Sequence, residues 1–553
     1  RHYFYSAVLL LLVVMMMMCH SIGAAAAEEN KLKTTLFGKG DLFNDTENKN
    51  MLQAFDSFRA PSLVEVDGVV VAIVEAHYMN ATDEQLYVGV AAKSMAVNEK
   101  KWREGRAIVF DHYDIKVYRL LSPTSIVDNV GIKALLGGYG KSGAPLTEVA
   151  GDGGYWTSRY ASGQFFNGRE YEEKKNFEWD QASTSEFFPD LFKGFSPNTE
   201  PYKQFLGGGG AGIQMDDGPY VLPIQALKHD GTKVSLVILA QRTNGGWEFS
   251  NGTSDDGCIQ PAVLELEDKS LLMMTSCDDG SRRVYWSSSM GTWWYEEYGT
   301  LSRVWGNSRT RTGHGVQGSF VSATIDGQKV ILVSQPVYSE TDGKEETGRL
   351  HLWLTDMQRI YDVGPISAAG ENVAASTLLY ATVEVTLSEE EGPKEENKLY
   401  CSYEVAAAGE DNYNISFVDL TEKLKDMKKV LAVWKEKEAY IAREYSCGNE
   451  RDNKNRSDCD SDLTKGLVGF LSNTSTGNTW SDEYLCVNAT VHGEVTRTAD
   501  GELTFKGPGA GAEWPVGKWG RMCRTTLRMT SSLSWRWCPC TRCRQQAAAA
   551  PFL

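Results

Sequence analysis

Cys540 and Cys543 have the Cys-x-x-Cys spacing of a metal knuckle. A tetrahedral zinc site needs a second ligand pair to close it, and Cys523 and Cys538 do not supply one. No metal or other cofactor is therefore expected. The glycine run Gly207–Gly210 offers bare backbone to a phosphate, but no Gly-Lys-Ser/Thr follows it. It reads as a buried backbone turn instead. Cys447 and Cys459 bracket a polar stretch, 448–458, without apolar residues, and a disulfide closing that loop is expected. Asn-x-Ser/Thr sequons stand at Asn44, Asn80, Asn251, Asn414, Asn455, Asn473 and Asn488, each a candidate for N-glycosylation.

Sugars and disulfides presuppose secretion, and the N-terminus fits that route. Arg1 and His2 are basic, 7–18 is an uninterrupted apolar run, and 23–27 is small-residue sequence suited to cleavage. Residues 1–27 read as a signal peptide whose apolar run is too short to span a bilayer. The expected location is outside the cell or on its surface. No C-terminal lipid-anchor signal and no transmembrane helix are read. The formal net charge of -17 argues against a nucleic-acid partner, which needs clustered Lys and Arg. It leaves room for a local basic pocket that takes an acidic sugar.

The elements that must position any site are short strands. Leu63–Val66, Asp67-Gly68 and Val69–Val74 read as a hairpin, and Ile325, Asp326-Gly327 and Val330–Val333 repeat the pattern. Trp102, Trp156, Trp247, Trp294 and Trp353 fall near expected strand ends. About 350 residues of this kind, from Phe55 to Val405, imply a sandwich, a barrel or a propeller. Six four-stranded blades fill the length, but periodicity alone does not choose. Thr421 can cap a helix, and Leu424, Met427, Leu431 and Trp434 follow at helical spacing. This predicts an amphipathic connector to about Tyr445, its apolar stripe packed on a neighbouring domain rather than on a membrane. Strand-like sequence returns at Gly466–Leu471 and Tyr484–Val487. Residues 521–544 then carry six Arg and no Asp, Glu or Lys, which reads as an aberrant tail.

Several strings carry a family resemblance: Ser57-Phe58-Arg59-Ala60-Pro61, Glu186-Phe187-Phe188-Pro189, Gln204-Phe205-Leu206-Gly207-Gly208, 299–306 and 352–361. They resemble, in order and from about residue 35 to 520, the trans-sialidases, a branch of the sialidase superfamily. The resemblance implies an all-β fold: a six-bladed β-propeller over 28–415, a linker α-helix over 416–446, and the start of a lectin-like (concanavalin/laminin-G-type) β-sandwich over 447–520. Residues 521–553 form the tail. Ser287–Trp294 resembles a sialidase Asp-box with Ser289 at the Asp position, a structural blade turn rather than a catalytic feature.

Sialic acid bears a carboxylate on its anomeric carbon, so a carboxylate nucleophile would be repelled there. Retaining sialidases use a Tyr activated by Glu, an Asp as acid/base, and an Arg triad that clamps the substrate carboxylate. Carried over position by position, the resemblance implies that Arg59 is the first triad Arg and Asp83 the acid/base remnant. Tyr155 and Trp156 line the acceptor side. Other family positions are lost: Ser122 replaces the Asp on the substrate's amide side, Gln260 the activating Glu, and Ser276 the second triad Arg. The third triad Arg falls at Thr347, with Arg349 two residues on as a partial substitute. The nucleophile position is Ala375. Losing central members of a cooperative catalytic set costs orders of magnitude in rate. The expectation is a monomeric glycoprotein without catalysis that binds host glycans or matrix glycoproteins in adhesion or immune evasion. The alternatives are an active exo-α-sialidase or trans-sialidase, and an antigenic decoy or pseudogene-like product with no stable fold.

Overall fold

The computed structural model describes residues 33–44, 52–79, 84–97, 100–108, 119–128, 131–139, 156–167, 175–179, 202–216, 218–240, 247–296, 301, 315–338, 348–357, 359–385, 394–407, 412–445, 471–476, 478–482, 489–497 and 503–513. Of the positions discussed above, Asn80, Asp83, Tyr155, Thr347, Cys447, Asn455, Cys459 and Asn488 lie outside the described residues, and Trp156 and Asn473 are described in backbone only. The signal segment 1–27, the strand expected at Tyr484–Val487 and the Arg-rich tail also lie outside them.

The described strands build six four-stranded antiparallel sheets. Blade I is Ser57–Val66, Val69–Met79, Leu86–Ala96 and Trp102–Ile108; blade II is Arg119–Asp128, Gly131–Tyr139, Trp156–Asn167 and Lys175–Trp179. One parallel contact, Val88 with Arg119, joins these two. Blade III is Tyr202–Gly207, Tyr220–Lys228, Lys233–Ala240 and Trp247–Phe249, with Ile213–Gln214 prolonging its inner strand. Blade IV is Cys258–Glu265, Leu271–Cys277, Arg282–Ser287 and Tyr295–Glu296; blade V is Ser319–Ile325, Gln328–Tyr338, Gly348–Thr355 and Ile360–Pro365. Blade VI takes Val373–Val385, Lys394–Ala406 and Tyr413–Asp419 from late in the chain and Lys33–Phe37 from its start. The first strands of neighbouring blades touch around the ring, with Ile213–Gln214 making the junction from blade III to blade IV, and blade VI returns to blade I. The fold is a β-propeller.

Blades packed on both faces bury both faces of their middle strands, so the sequence loses the alternation of a half-exposed sheet. Val69–Ala76 is buried at every position, Glu75 included. Each gap between blades holds its own apolar cluster; Leu36, Phe37, Phe58, Val74 and Phe417 fill the seam between blades VI and I. The hairpins expected at Asp67-Gly68 and Asp326-Gly327 are present, both residues of each pair having positive φ. That is the type I′ geometry which suits the strand twist. Among the tryptophans, Trp102, Trp156 and Trp247 open strands, whereas Trp353 lies inside Gly348–Thr355.

The helix Lys423–Tyr445 follows blade VI. Leu424, Met427, Leu431 and Trp434 are buried in the cluster shared by blades V and VI, so the stripe packs on the propeller. Arg359 lies 5.6 Å over the Trp434 ring. Thr421 departs from the expected cap: its hydroxyl accepts from Leu399 N at 3.2 Å, tying the helix entry to blade VI. No helix among the described residues is long and apolar enough to cross a membrane. Further on, Leu471–Thr476, Thr479–Asp482, Ala489–Arg497 and Leu503–Glu513 form a separate four-stranded sheet with a small core around Trp480, Val491 and Leu503.

Candidate functional site

The inner strands of four blades are irregular at their beginnings. The pairing register shifts between Arg59 and Ser62, between Leu121 and Thr124, between Ile259 and Ala262, and between Val373 and Ser376. Arg59, Ser122, Gln260 and Ala375 all lie at these bulges. In three of them the chain turns left-handed at a non-glycine residue, Ala60 (φ 49°), Ser122 (φ 49°) and Gln260 (φ 55°). Each of those three precedes a proline, which has no amide for a ladder. Such φ values are uncommon outside glycine, and bulges re-aim side chains at functional rims. Blade III meets the same need with glycine. A Cβ on Gly208 would stand 2.4 Å from Pro261 O, so the glycine run is a close backbone approach, as expected.

Hydrogen bonds stitch this end of the propeller from blade to blade. Between VI and I, Glu404 accepts from Ala60 N at 2.6 Å and from Ala375 N at 3.3 Å, and its carboxylate lies 3.6 Å from Arg59 Nη2. Between I and II, Glu75 accepts from Ser122 N at 2.5 Å. Thr124 Oγ1 accepts from Gly209 N at 3.0 Å between II and III. Gln260 N donates to Gln225 Oε1 at 3.3 Å between III and IV. Arg282 donates to Val316 O at 2.8 Å on the approach to blade V, and Ser376 N donates to Gln317 O at 3.1 Å between V and VI. Glu75, Glu404 and Arg282, all missed by sequence reading, organise this rim. The only sequence signal for the two carboxylates is an acidic residue inside an otherwise apolar strand.

Charge is uneven around the rim. Arg59 is 43% exposed, and its guanidinium is raised above its ordinary value chiefly by Glu404, against the opposing effect of burial. Its guanidinium carbon lies 4.4 Å over the Tyr413 ring. Burial pushes the Glu75 carboxyl up, but the hydrogen bond and charge of His77, the Ser122 amide and the Arg59 charge outweigh it and hold it below the usual range. In blade IV, Ser276 is fully buried and its hydroxyl accepts from Arg282 Nη1 at 3.0 Å. Arg282 is also buried; burial pulls its guanidinium down to about 10. It has no carboxylate partner among the described residues, and its Nε has no acceptor. Arg349 donates Nε to Ser367 O at 3.3 Å.

Only one phenol touches Arg59 among the described residues, that of Tyr413. Glu404 stands nearby but already serves two amides and the guanidinium, and no hydrogen bond joins it to Tyr413. Among the described residues Tyr413 thus meets Arg59 as a stacking surface, with no base hydrogen-bonded to its phenol. Ala375, 7% exposed, presents a methyl group. A cavity of about 800 Å³ lies farther along the same inner strands, between Leu63, Ile126, Leu264 and Tyr380, and contains none of the expected site residues.

Blade IV also holds the one disulfide among the described residues, Cys258–Cys277, which sequence reading did not foresee. The two cysteines stand directly opposite each other in the hairpin, two residues from Gln260 and one from Ser276. Their mirror placement around the hairpin was the available signal.

Two family models match the chain: a BNR repeat-like domain over residues 60–404, and the trans-sialidase C-terminal domain over 463–527. The chain belongs to the trans-sialidase family. It is 31% identical over 455 residues to a sialidase of Trypanosoma cruzi, covering 82% of this chain and 37% of the relative. It is 34% identical over 320 residues to sialidase 85-1.1 of the same organism, covering 57% of this chain and 37% of that protein. The chain thus spans little more than a third of either relative. The crystal structure of Trypanosoma rangeli sialidase superposes with a TM-score of 0.68 at 31% identity, over 88% of this chain and 75% of that one. The same sialidase in complex with sialic acid gives 0.67 over 87% of this chain and 72% of that one. The family membership places the six-bladed frame, and the C-terminal match is to the lectin-like part of the family.

Proposed function

We propose that this trans-sialidase family chain is a secreted or surface glycoprotein that binds host glycans or matrix glycoproteins without cleaving them. The observation that carries the reading is Ala375, a methyl on the blade VI bulge at the family's nucleophile position, with its amide held by Glu404. Gln260, at the position of the activating acid, cannot take a phenolic proton. Ser276 carries no charge for the carboxylate clamp. Arg59 remains exposed enough for a charge-assisted hydrogen bond to an acidic sugar, although Glu404 already shares its charge. Asp83, Tyr155, Trp156 and Arg349 belong to this proposal as remnants of the family site, and Thr347 and Ser122 as lost positions. Signal cleavage after 27, the domain limits given above, the Cys447–Cys459 bridge and a monomeric state are parts of the same proposal.

Turnover of a fluorogenic sialoside tests it. Release at the buffer rate is expected, together with tighter binding of the protein to sialylated than to desialylated host cells. Release that disappears in Asp83→Asn would overturn the reading in favour of an exo-α-sialidase or trans-sialidase. Equal failure on both kinds of cell would leave the decoy.

A further inference from the structure

Trp293 is the most exposed large apolar side chain among the described residues, at 66%, and Tyr295 follows it at 59%. Both lie at the outer edge of blade IV. Between them Trp294 packs inward with Met290 against the cluster between blades III and IV, while 293 and 295 stay exposed. The Asp-box turn that carries them is intact despite its lost aspartate. Ser289 Oγ accepts from Trp293 N at 3.1 Å, and Ser287 Oγ from Gly291 N at 2.9 Å. The exposed aromatic edge is therefore held in place by its turn.

A second turn packs on the first. Gly252 N donates to Gly291 O at 2.9 Å. A Cβ on Gly252 would stand 2.9 Å from Thr292 O and 3.0 Å from Trp294 Cδ1, so the two turns are in backbone contact. The residue before Gly252 is Asn251, first of the sequon Asn251-Gly252-Thr253, and it is exposed with no hydrogen bond among the described residues. Asn414 contrasts with it: half-buried within a strand, its Oδ1 accepts from Lys39 N at 3.0 Å. Asn251 and Trp293 each stand one chain step, about 3.8 Å, from that turn–turn contact.

We propose that Asn251 carries an N-glycan whose core N-acetylhexosamine lies on the Trp293 ring, with Tyr295 extending the platform. The C–H face of the pyranose meets the negative face of the indole, while its hydroxyls stay in water. The glycan then covers an aromatic edge that would otherwise face solvent. The proposal rests on the secretory routing within the proposed function.

The test uses the full chain secreted from a eukaryotic host that attaches N-glycans. Mass spectrometry of the peptide containing Asn251 is expected to show occupancy. Asn251→Gln and Trp293→Ala are each expected to lower Tm by about 1–2 °C, and the double variant by no more than either alone, because both remove one contact. Glycans at other sequons but not at Asn251 overturn this proposal alone. No glycan at any sequon overturns it together with the secretory reading. Additive Tm shifts, or a dimer that forms through Trp293 whether or not the glycan is present, overturn the stacking.

Discussion

The seam between blades VI and I and the rim of blade IV solve one problem in opposite ways. Both must hold a left-handed bulge, Ala60 in one and Gln260 in the other. At the VI–I seam a buried carboxylate does it: Glu404 holds the Ala60 and Ala375 amides and faces Arg59. In blade IV a covalent bond between Cys258 and Cys277 ties the bulged strand to its partner. The charged seam keeps a partly exposed cation, Arg59, beside its carboxylate. At the covalent rim Arg282 is instead buried beside Ser276, its charge withdrawn from the surface. One propeller mouth can thus retain geometry on all sides while retaining electrostatics on one.

The largest effect should come from opening the covalent rim. Cys258→Ser with Cys277→Ser should cost about 3 kcal/mol, the size expected for a loop of this length, read as a drop in the denaturation midpoint. A change below about 1 kcal/mol would mean that the rim holds its shape without the bond. Next, Glu404→Ala strands two bulge amides and should cost about 2–3 kcal/mol, with Arg59 left more mobile. Gln260→Ala, which leaves every amide with its partner, its own bond to Gln225 Oε1 included, should cost less than about 1 kcal/mol. Equal losses at the two positions would erase the contrast.

Acid should also separate the two sides. Glu75 is held below its ordinary value of 4.5, so its charged form stabilises the fold above that pH. That contribution falls away as pH drops below 4.5 through its lower folded value. Acid titration of the wild type should therefore show a loss of stability in that window which Glu75→Gln lacks. The smallest change is expected at Arg282. Replacing a buried cation that has no carboxylate partner among the described residues with Met should alter stability by less than about 1 kcal/mol in either direction, because relief from desolvation offsets two lost hydrogen bonds.

What the sequence disclosed followed from local pattern. Asp67-Gly68 and Asp326-Gly327 announced their hairpins, and the Leu424–Trp434 stripe announced a helix on a domain surface. The choice of a propeller over a barrel came from family strings, because six blades differ from a barrel only in long-range pairing. The same limit hid Glu404, Glu75 and Arg282. Their partners lie across blade boundaries, as Ala60 does for Glu404, and nothing local marks them. Thr421 looked like a helix cap because its neighbours are helical, yet Leu399 N, brought alongside by blade VI, takes its hydroxyl. The Cys258–Cys277 bridge needed the hairpin register before its symmetry meant anything.

The N-terminal strand Lys33–Phe37 has a consequence for the birth of the molecule. Lys33 pairs with Val418, so the ring cannot shut until the ribosome has delivered nearly the whole toroid. Bringing those two points together carries a chain-entropy cost of about 5 kcal/mol, which a nascent chain recovers only when the final hairpin emerges. Until then, Phe37 and its aromatic neighbours in the last seam stand open to chaperones and to other chains.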